Sequence, residues 1–219
     1  MMTNININRR KAIKIAQEYG LEQTVRTYID NGLSPYDALK ECQLLEYIIS
    51  PVIICIVGDS GSGKTLISTI FKELFNWNLI VSYTTRNKRA EETDGVEHYF
   101  VSSDKIPNHK DMLAYTKYGG YEYWTTKSQF VDYIPNIYVI DEKGIDFLSK
   151  HGISNQLILI KVNRIDKTSI DNNRVIRDIE RIHIPDTDYQ YIIQNNSTIN
   201  NLYDTVYKIG QEIKQMYNI

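Results

Sequence analysis

One stretch decides the fold of this chain: Gly58-Asp59-Ser60-Gly61-Ser62-Gly63-Lys64-Thr65, which fits G-x-x-x-x-G-K-[ST] at every fixed position. An apolar run at 52–57 precedes it, and apolar residues recur at helical spacing over 66–75. A glycine-rich turn between a strand and a helix directs backbone N–H groups and the positive end of the helix dipole at an anion. The stretch therefore predicts a phosphate-binding loop, with Lys64 reaching the β- and γ-phosphates and Thr65 ligating Mg²⁺.

Strand-like and helix-like segments alternate from Pro51 onward. Strand-like runs occur at 79–81, 137–140, 156–162 and 191–193. The last helix is marked by Leu202, Val206, Ile209, Ile213 and Met216. This order predicts an α/β fold, a P-loop NTPase with a largely parallel sheet flanked by helices. Ligands of such folds bind at the carboxyl ends of the strands.

Residues 1–49 precede this alternation and predict a small N-terminal helical extension, with residues 50–219 forming the main domain. Gly20 and Gly32 can end two short helices, and Ser34-Pro35 can begin a third that runs to Leu45. Two interpretations remain open for this extension. The helices pack on the main domain as a structural addition, or their basic first turn contacts a partner or nucleic acid. That turn contains Arg9, Arg10, Lys11 and Lys14.

The bulk composition limits the classes of partner. The 219 residues carry a formal net charge of -2, which gives no general attraction to nucleic acid. No apolar run approaches the ~20 residues of a membrane span, and the N-terminus lacks a signal-peptide core, so we expect a cytoplasmic protein. The two cysteines, Cys42 and Cys55, are expected to be core residues. The sequence does not indicate an oligomeric state.

A second motif narrows the chemistry: Ser82-Tyr83-Thr84-Thr85-Arg86-Asn87-Lys88-Arg89, followed by Glu92, Gly95 and Phe100. Two arginines three residues apart on a loop can direct forked donors at one phosphate dianion. In order and spacing the motif resembles the nucleoside-monophosphate-binding segment of guanylate kinases. The resemblance continues at 120–125, 140–144 and 191–196, and therefore covers about residues 51–219.

The resemblance implies an ATP-dependent nucleoside-monophosphate kinase of guanylate kinase type. Such an enzyme transfers the γ-phosphoryl group of MgATP to GMP, dGMP or a related (deoxy)nucleoside monophosphate. The implied catalytic residues are Lys64, Arg86, Arg174 and Arg177. ATP would contact Gly58, Asp59, Ser60, Gly61, Ser62, Gly63, Lys64, Thr65 and Asn195, with Thr65 on the metal. The acceptor would contact Ser82, Arg86, Arg89, His98, Tyr99, Tyr123, Thr125 and Asp141.

The chain departs from the family's pattern around the acceptor base. Ala114 stands where the family has the glutamate that reads guanine. His98 replaces a tyrosine, and either His98 or the adjacent Tyr99 is expected at the acceptor phosphate. Trp124 replaces a glycine and is expected to add bulk beside the base, and Asp141 lies either at the base or near Mg²⁺. These changes predict an altered base pocket.

Two other classes compete with this interpretation. A guanylate kinase-like scaffold or nucleotide-sensing module would bind a partner through the N-terminal helices. Lys64 and Thr65 are intact, which favours an enzyme over a scaffold. A P-loop ATPase that acts on nucleic acid would need a basic surface signal, and the sequence shows none.

Overall fold

The computed structural model of the protein describes residues 7–44, 52–131, 134–151, 156–165 and 183–217. The predicted lid arginines, Arg174 and Arg177, lie outside these ranges. The helices are α1 (Arg9–Glu18), α2 (Glu22–Asp30), α3 (Pro35–Glu41), α4 (Lys64–Phe75), α5 (Glu142–His151) and α6 (Ile199–Tyr217). The strands are β1 (Val52–Val57), β2 (Asn78–Ile80), β3 (Tyr83–Thr84), β4 (Tyr99–Phe100), β5 (Met112–Tyr118), β6 (Tyr121–Thr126), β7 (Asn136–Val139), β8 (Gln156–Asn163) and β9 (Tyr191–Gln194).

The main sheet is parallel and has the strand order β2-β7-β1-β8-β9. All six residues of the central strand β1 are buried. Because side chains alternate along a strand, Val52, Ile54 and Ile56 pack with helices α4 and α6 on one face. The intervening residues pack with α5 and β5 on the other face. The predicted α/β fold with a parallel sheet flanked by helices is confirmed.

A second sheet, of four strands in the order β4-β3-β6-β5, was not predicted. Strands β5 and β6 form an antiparallel hairpin whose turn is Gly119-Gly120. Both glycines adopt positive φ angles, 57° and 80°, which side-chain-bearing residues rarely adopt. Strand β3 joins β6 antiparallel and β4 parallel, which places the second motif beside this hairpin. The prediction of a largely parallel architecture therefore holds for the main sheet alone.

The three N-terminal helices share a hydrophobic core of their own. Ser34 accepts a hydrogen bond from the Asp37 N–H at the start of α3, as its sequence predicts. Gly20 and Gly32 follow α1 and α2 with positive φ. Helix α3 ends earlier than predicted, because Gln43 adopts a φ of 56°. The buried residues of this core are Ile7, Ala12, Ile15, Ala16, Val25, Ala38, Leu39 and Leu44.

Helix α6 packs closely on α4 through aromatic side chains. The Phe75 ring lies 4.6 Å from Trp77 and 6.0 Å from Tyr207, centroid to centroid. Four of the five apolar residues that mark α6 in the sequence are buried, whereas Met216 in its last turn is 62% exposed. Within the described ranges, no helix combines the length and apolar character that a membrane span requires.

Gly210 lies at a close approach between these two helices. A Cβ atom at this position would lie 2.1 Å from Cε2 of Phe75, whose ring is held by its stacking partners. Gly210→Ala should therefore lower the free energy of unfolding by about 1–3 kcal/mol, despite the better helix propensity of alanine. Denaturant unfolding would measure this change, with the exposed Lys208→Ala of the same helix as control. Equal or greater stability of Gly210→Ala would contradict this packing.

Candidate functional site

A cavity of about 410 Å³ opens at the carboxyl ends of β1 and β7 and extends to the second sheet. It brings together most of the residues that the two motifs single out. Of the predicted site residues, the cavity is lined by Ser60, Gly61, Lys64, Thr65, Ser82, Arg86, Arg89, His98, Tyr123 and Asp141. The phosphate loop and the arginine loop thus face one shared space.

The phosphate loop directs a helix N-terminus at this cavity. Gly63 adopts a φ of 98° and caps α4, so the chain turns sharply before Lys64. The Lys64 ammonium donates to the carbonyl oxygens of Gly58 at 2.8 Å and Asp59 at 2.7 Å. The Ser62 hydroxyl is buried and has no hydrogen-bond partner in the described structure. The loop is therefore closed on itself by Lys64 and presents positive charge to the cavity.

Two close contacts hold this loop from behind. A Cβ atom on Gly58 would lie 2.4 Å from the carbonyl oxygen of Val162 in β8, so only glycine fits there. Asn195, just after β9, donates from Nδ2 to the carbonyl oxygen of Ser62 at 2.8 Å. Asn195 is not among the residues that line the cavity. Asn195 thus supports the loop from behind, and its contact with ATP stays a prediction.

The arginine loop is organised by a carboxylate whose role the sequence did not reveal. Arg86 donates through both terminal nitrogens to Glu92 at 2.8 Å, and Arg89 donates to the same carboxylate at 3.0 Å. Glu92 is only 8% exposed. The sequence did carry one signal for this role, which is the position of Glu92 three residues after Arg89 and within the motif. The two guanidinium groups therefore converge on the Glu92 carboxylate, and their contact with an acceptor phosphate stays a prediction.

The ionisation of Glu92 follows from these contacts. Burial alone would raise the pKa of this carboxyl, but hydrogen bonds from Arg86 and from the Arg89 N–H, with both guanidinium charges, lower it to about 2. Glu92 is therefore ionised throughout the physiological pH range and keeps both arginines in place.

His98, not Tyr99, lines the cavity beside the arginines. Its Nδ1 lies 2.8 Å from the Ser82 hydroxyl, and its ring centroid lies 5.5 Å from that of Tyr123. Burial and the nearby Arg86 charge lower the pKa of His98 to about 4, so the imidazole is neutral at pH 7. Tyr99 instead stacks on Tyr83 with centroids 4.8 Å apart. Of the two residues, His98 is therefore the one beside the arginines, and its contact with the acceptor phosphate stays a prediction.

The sequence expectation for Trp124 is wrong. Its ring is buried against Tyr83, 5.7 Å between centroids, and does not line the cavity. The reason is strand alternation in β6, because the neighbouring Tyr123 takes the side that faces the cavity. Trp124 therefore adds no bulk beside the ligand space.

Thr125 also differs from its prediction. It is 0% exposed and reaches the cavity only through Tyr138, to whose hydroxyl it donates at 3.2 Å. Ala114 lies opposite Thr125 in the strand register and is buried as well. Asp141 follows β7 and accepts a hydrogen bond from the Gly144 N–H at 2.7 Å. Tyr138 and Asp141 thus contribute polar groups to the side of the cavity at the end of β7.

The residues around the phosphate loop suit Mg²⁺. The described residues contain no cluster of three or more His, Cys, Asp or Glu side chains that could hold a metal alone. Mg²⁺ bound with a nucleotide usually takes one or two protein oxygens, and phosphates and water complete its coordination. Thr65 and Asp141 line the same cavity and provide oxygens of that kind. The donor set therefore fits a magnesium ion that binds with nucleotide.

The Glu92 contacts predict a pH-dependent loss of stability on substitution. Because folding lowers the pKa of Glu92 from 4.5 to about 2, its ionised form stabilises the fold above pH 4.5, and this contribution disappears as the pH falls toward 2. Glu92→Gln should lower the free energy of unfolding by about 3 kcal/mol at pH 7 and by much less near pH 2–3. Denaturant titrations at several pH values would measure this. The exposed neighbour Glu91→Gln is the control, and a pH-independent difference for Glu92→Gln would contradict the assignment.

Comparisons with known proteins identify the family of this chain. The family model described as guanylate kinase matches residues 50–209. The chain is 33% identical over 116 residues to the guanylate kinase of Ehrlichia ruminantium strain Gardel, a match covering 47% of this chain and 56% of that protein. It is 28% identical over 181 residues to the guanylate kinase of Mycoplasmoides gallisepticum, covering 75% of this chain and 91% of that protein. The chain thus spans little more than half the length of the Ehrlichia relative.

A solved structure shows the same fold. The crystal structure of guanylate kinase from Anaplasma phagocytophilum superposes with a TM-score of 0.51 at 15% sequence identity, covering 78% of this chain and 87% of that one. Because the family model matches most of the sequence, this chain belongs to the guanylate kinase family.

Proposed function

We propose that this protein is a nucleoside-monophosphate kinase that transfers the γ-phosphoryl group of ATP to GMP, dGMP or a related monophosphate. One observation carries the proposal: the phosphate loop and the Arg86–Arg89 pair line the same cavity. A donor triphosphate and an acceptor monophosphate can then meet without leaving the site. The match to the guanylate kinase model supports this assignment.

The acceptor phosphate binds at the arginine loop. Arg86 and Arg89 already converge on the Glu92 carboxylate, which fixes the direction of their N–H groups before any ligand arrives. A phosphate oxygen beside Glu92 would take the remaining donors of this pair. Tyr123 and the neutral His98 line the cavity next to them. This arrangement orients one oxygen of the acceptor phosphate toward the donor.

The donor triphosphate binds at the phosphate loop, where Lys64 leaves the loop carbonyls to contact the β- and γ-phosphates. An anionic acceptor oxygen attacks the γ-phosphorus, a new P–O bond forms, and the bond to the β–γ bridging oxygen breaks to release ADP. The attacking oxygen carries no proton that must be removed, so no general base is needed. Mg²⁺, held by Thr65, Asp141 and the phosphates, would neutralise charge on the donor. The protein contributes alignment and positive charge.

Two substitutions separate the two phosphate sites. Lys64→Ala should lower kcat by about 10²–10³-fold, because a donor to the transferring group is lost. Arg86→Lys keeps the positive charge but loses the paired N–H donors of the guanidinium group. It should therefore mainly raise the KM of the acceptor. Coupled ADP-release assays across nucleoside monophosphates would measure both, with the exposed Lys72→Ala of α4 as control.

Two results would contradict the proposal. The wild-type protein could form no acceptor-dependent ADP with any common monophosphate, which would exclude the kinase activity. Alternatively, Lys64→Ala could turn over at the wild-type rate, which would exclude the assigned phosphate loop.

We also propose that residues 1–49 form a helical extension distinct from the kinase domain at 50–219. The separate hydrophobic core of the three helices supports this division. A fragment that starts at Ser50 should therefore retain wild-type kcat and KM within about twofold. Loss of activity in a fragment that still unfolds cooperatively would instead show that the helices belong to the kinase site.

A further inference from the structure

One side chain beside the arginine loop can change its charge near neutral pH. His98 lines the cavity together with Arg86 and Arg89. Both arginines stay protonated at every working pH, and the pKa of Glu92 is about 2, so the charges of these three groups are fixed. A histidine differs from them because its ordinary pKa lies between pH 6 and 7. The protonation of His98 therefore determines how positive this side of the cavity is.

The ring of His98 is held in one orientation by its neighbours. Its Nδ1 lies 2.8 Å from the Ser82 hydroxyl. Tyr123 and Phe100 meet the ring in edge contacts, with centroid distances of 5.5 Å and 5.9 Å. In the described part of the chain, Nε2 has no hydrogen-bond partner. The second ring nitrogen is therefore the one that a ligand in the cavity can contact.

The groups around His98 keep it neutral before a ligand arrives. Burial lowers its pKa most, and the positive charges of Arg86 and Arg89 lower it further. Glu92 and the Ser82 backbone act in the opposite direction, but both arginines are hydrogen-bonded to Glu92. The resulting pKa of about 4 means that the ring is an uncharged imidazole at pH 7.

The nearby carboxylates are held by backbone groups. Asp94, whose backbone pairs with His98, accepts from a backbone N–H of β4, and Glu97 accepts from the Thr93 N–H. The remaining charged groups that line the cavity are Lys64, Glu91 and Asp141. Within the described ranges, no carboxylate contacts the His98 ring. An anionic partner for this ring must therefore come from a ligand.

A bound monophosphate reverses the charge balance at His98. Its dianion brings two negative charges, and one opposite charge within about 4–6 Å changes a pKa by roughly 1–3. Two such charges can bring the pKa of His98 from about 4 to about 6 or above. A protonated imidazole has two N–H donors. The Ser82 hydroxyl can accept from Nδ1, while the phosphate accepts from Nε2.

We propose that His98 takes up one proton from solvent when the acceptor monophosphate binds, so that two guanidinium groups and an imidazolium ion hold the acceptor phosphate. This inference rests on the proposed kinase function and adds a proton-linked contact to its acceptor site. The proton resides on the ring, so the attacking phosphate oxygen stays anionic. After transfer, this phosphate is the inner phosphate of a diphosphate and carries one negative charge, so the ring returns the proton to solvent as the product leaves.

This linkage fixes the sign of the pH dependence. Above pH 7 the free monophosphate is a dianion, because its second pKa is about 6, and His98 of the free protein is neutral. Binding then consumes a proton. The affinity for the monophosphate therefore falls as the pH rises above the pKa that His98 has in the complex, by up to about tenfold for each pH unit.

The pKa of His98 is tested by NMR titration of the histidine rings in the full-length protein, with and without saturating GMP. The chain has four histidines, and the spectrum of His98→Tyr identifies the resonance by its absence. We expect a pKa below about 5 in the free protein and above about 6 with GMP bound. A value below about 6 in the complex would overturn the proposal. If GMP does not bind, AMP, CMP and dTMP replace it in turn, because the contact involves only the phosphate.

The kinetic consequence is tested by the pH dependence of the acceptor KM. His98→Tyr keeps a hydrogen-bond donor but cannot gain a proton. Between pH 7 and 9 the acceptor KM of the wild-type protein should rise by about tenfold or more, whereas the KM of His98→Tyr should change by less than about twofold. His183→Gln, which changes an exposed histidine outside the cavity, is the control and should follow the wild type. An equal rise in the wild type and His98→Tyr would contradict the linkage. His98→Gln takes the place of His98→Tyr if that variant does not fold.

These outcomes separate the inference from the proposed function. Acceptor-dependent ADP formation, together with a bound-state pKa of His98 below about 6, would refute the proton linkage and leave the kinase function in place. Absence of acceptor-dependent ADP formation with every monophosphate tested would refute the kinase function itself.

Discussion

The burial of β1 on both faces is the constraint on which the rest of the structure depends. A six-residue strand without an exposed side chain requires strands on both sides and cover above and below. Strands β7 and β8 pair with β1 on its two sides, and helices α4, α5 and α6 help to cover the two faces of the sheet. The chain that leaves β1 must then turn at the edge of the sheet, where the phosphate loop is found. The position of the nucleotide site is therefore a consequence of core packing.

The second organising interaction is electrostatic. Two arginines three residues apart would repel each other, and Glu92 removes that repulsion by accepting hydrogen bonds from both. The same carboxylate leaves a weaker positive field for an incoming phosphate than two free arginines would. The arginine loop therefore attracts a phosphate less strongly but holds its donors in a fixed arrangement, and positioning of this kind contributes to phosphoryl transfer.

The sequence predicted the local elements better than the contacts between them. The phosphate loop, the parallel strands and the cap at Ser34 follow from residue types at fixed spacing, and such signals are visible in one chain. The second sheet was missed because β3 and β4 are two residues long and carry no periodicity. Trp124 and Thr125 were misplaced because their orientation depends on the pairing register of β6. Asn195 acquires its role from a contact between groups 133 residues apart, which spacing alone does not reveal. Glu92 lies within reach of both arginines along the chain, so its spacing was a signal in the motif itself.

The bond between Asn195 and Ser62 joins groups 133 residues apart. It cannot form until β9 has docked beside β8, and β9 is the last strand of the sheet in chain order. During synthesis the phosphate loop is thus complete in sequence long before it can be held in this shape. The shape of the loop therefore depends on the docking of β9, and a chain truncated before β9 would lack this support even with its whole phosphate-loop motif present.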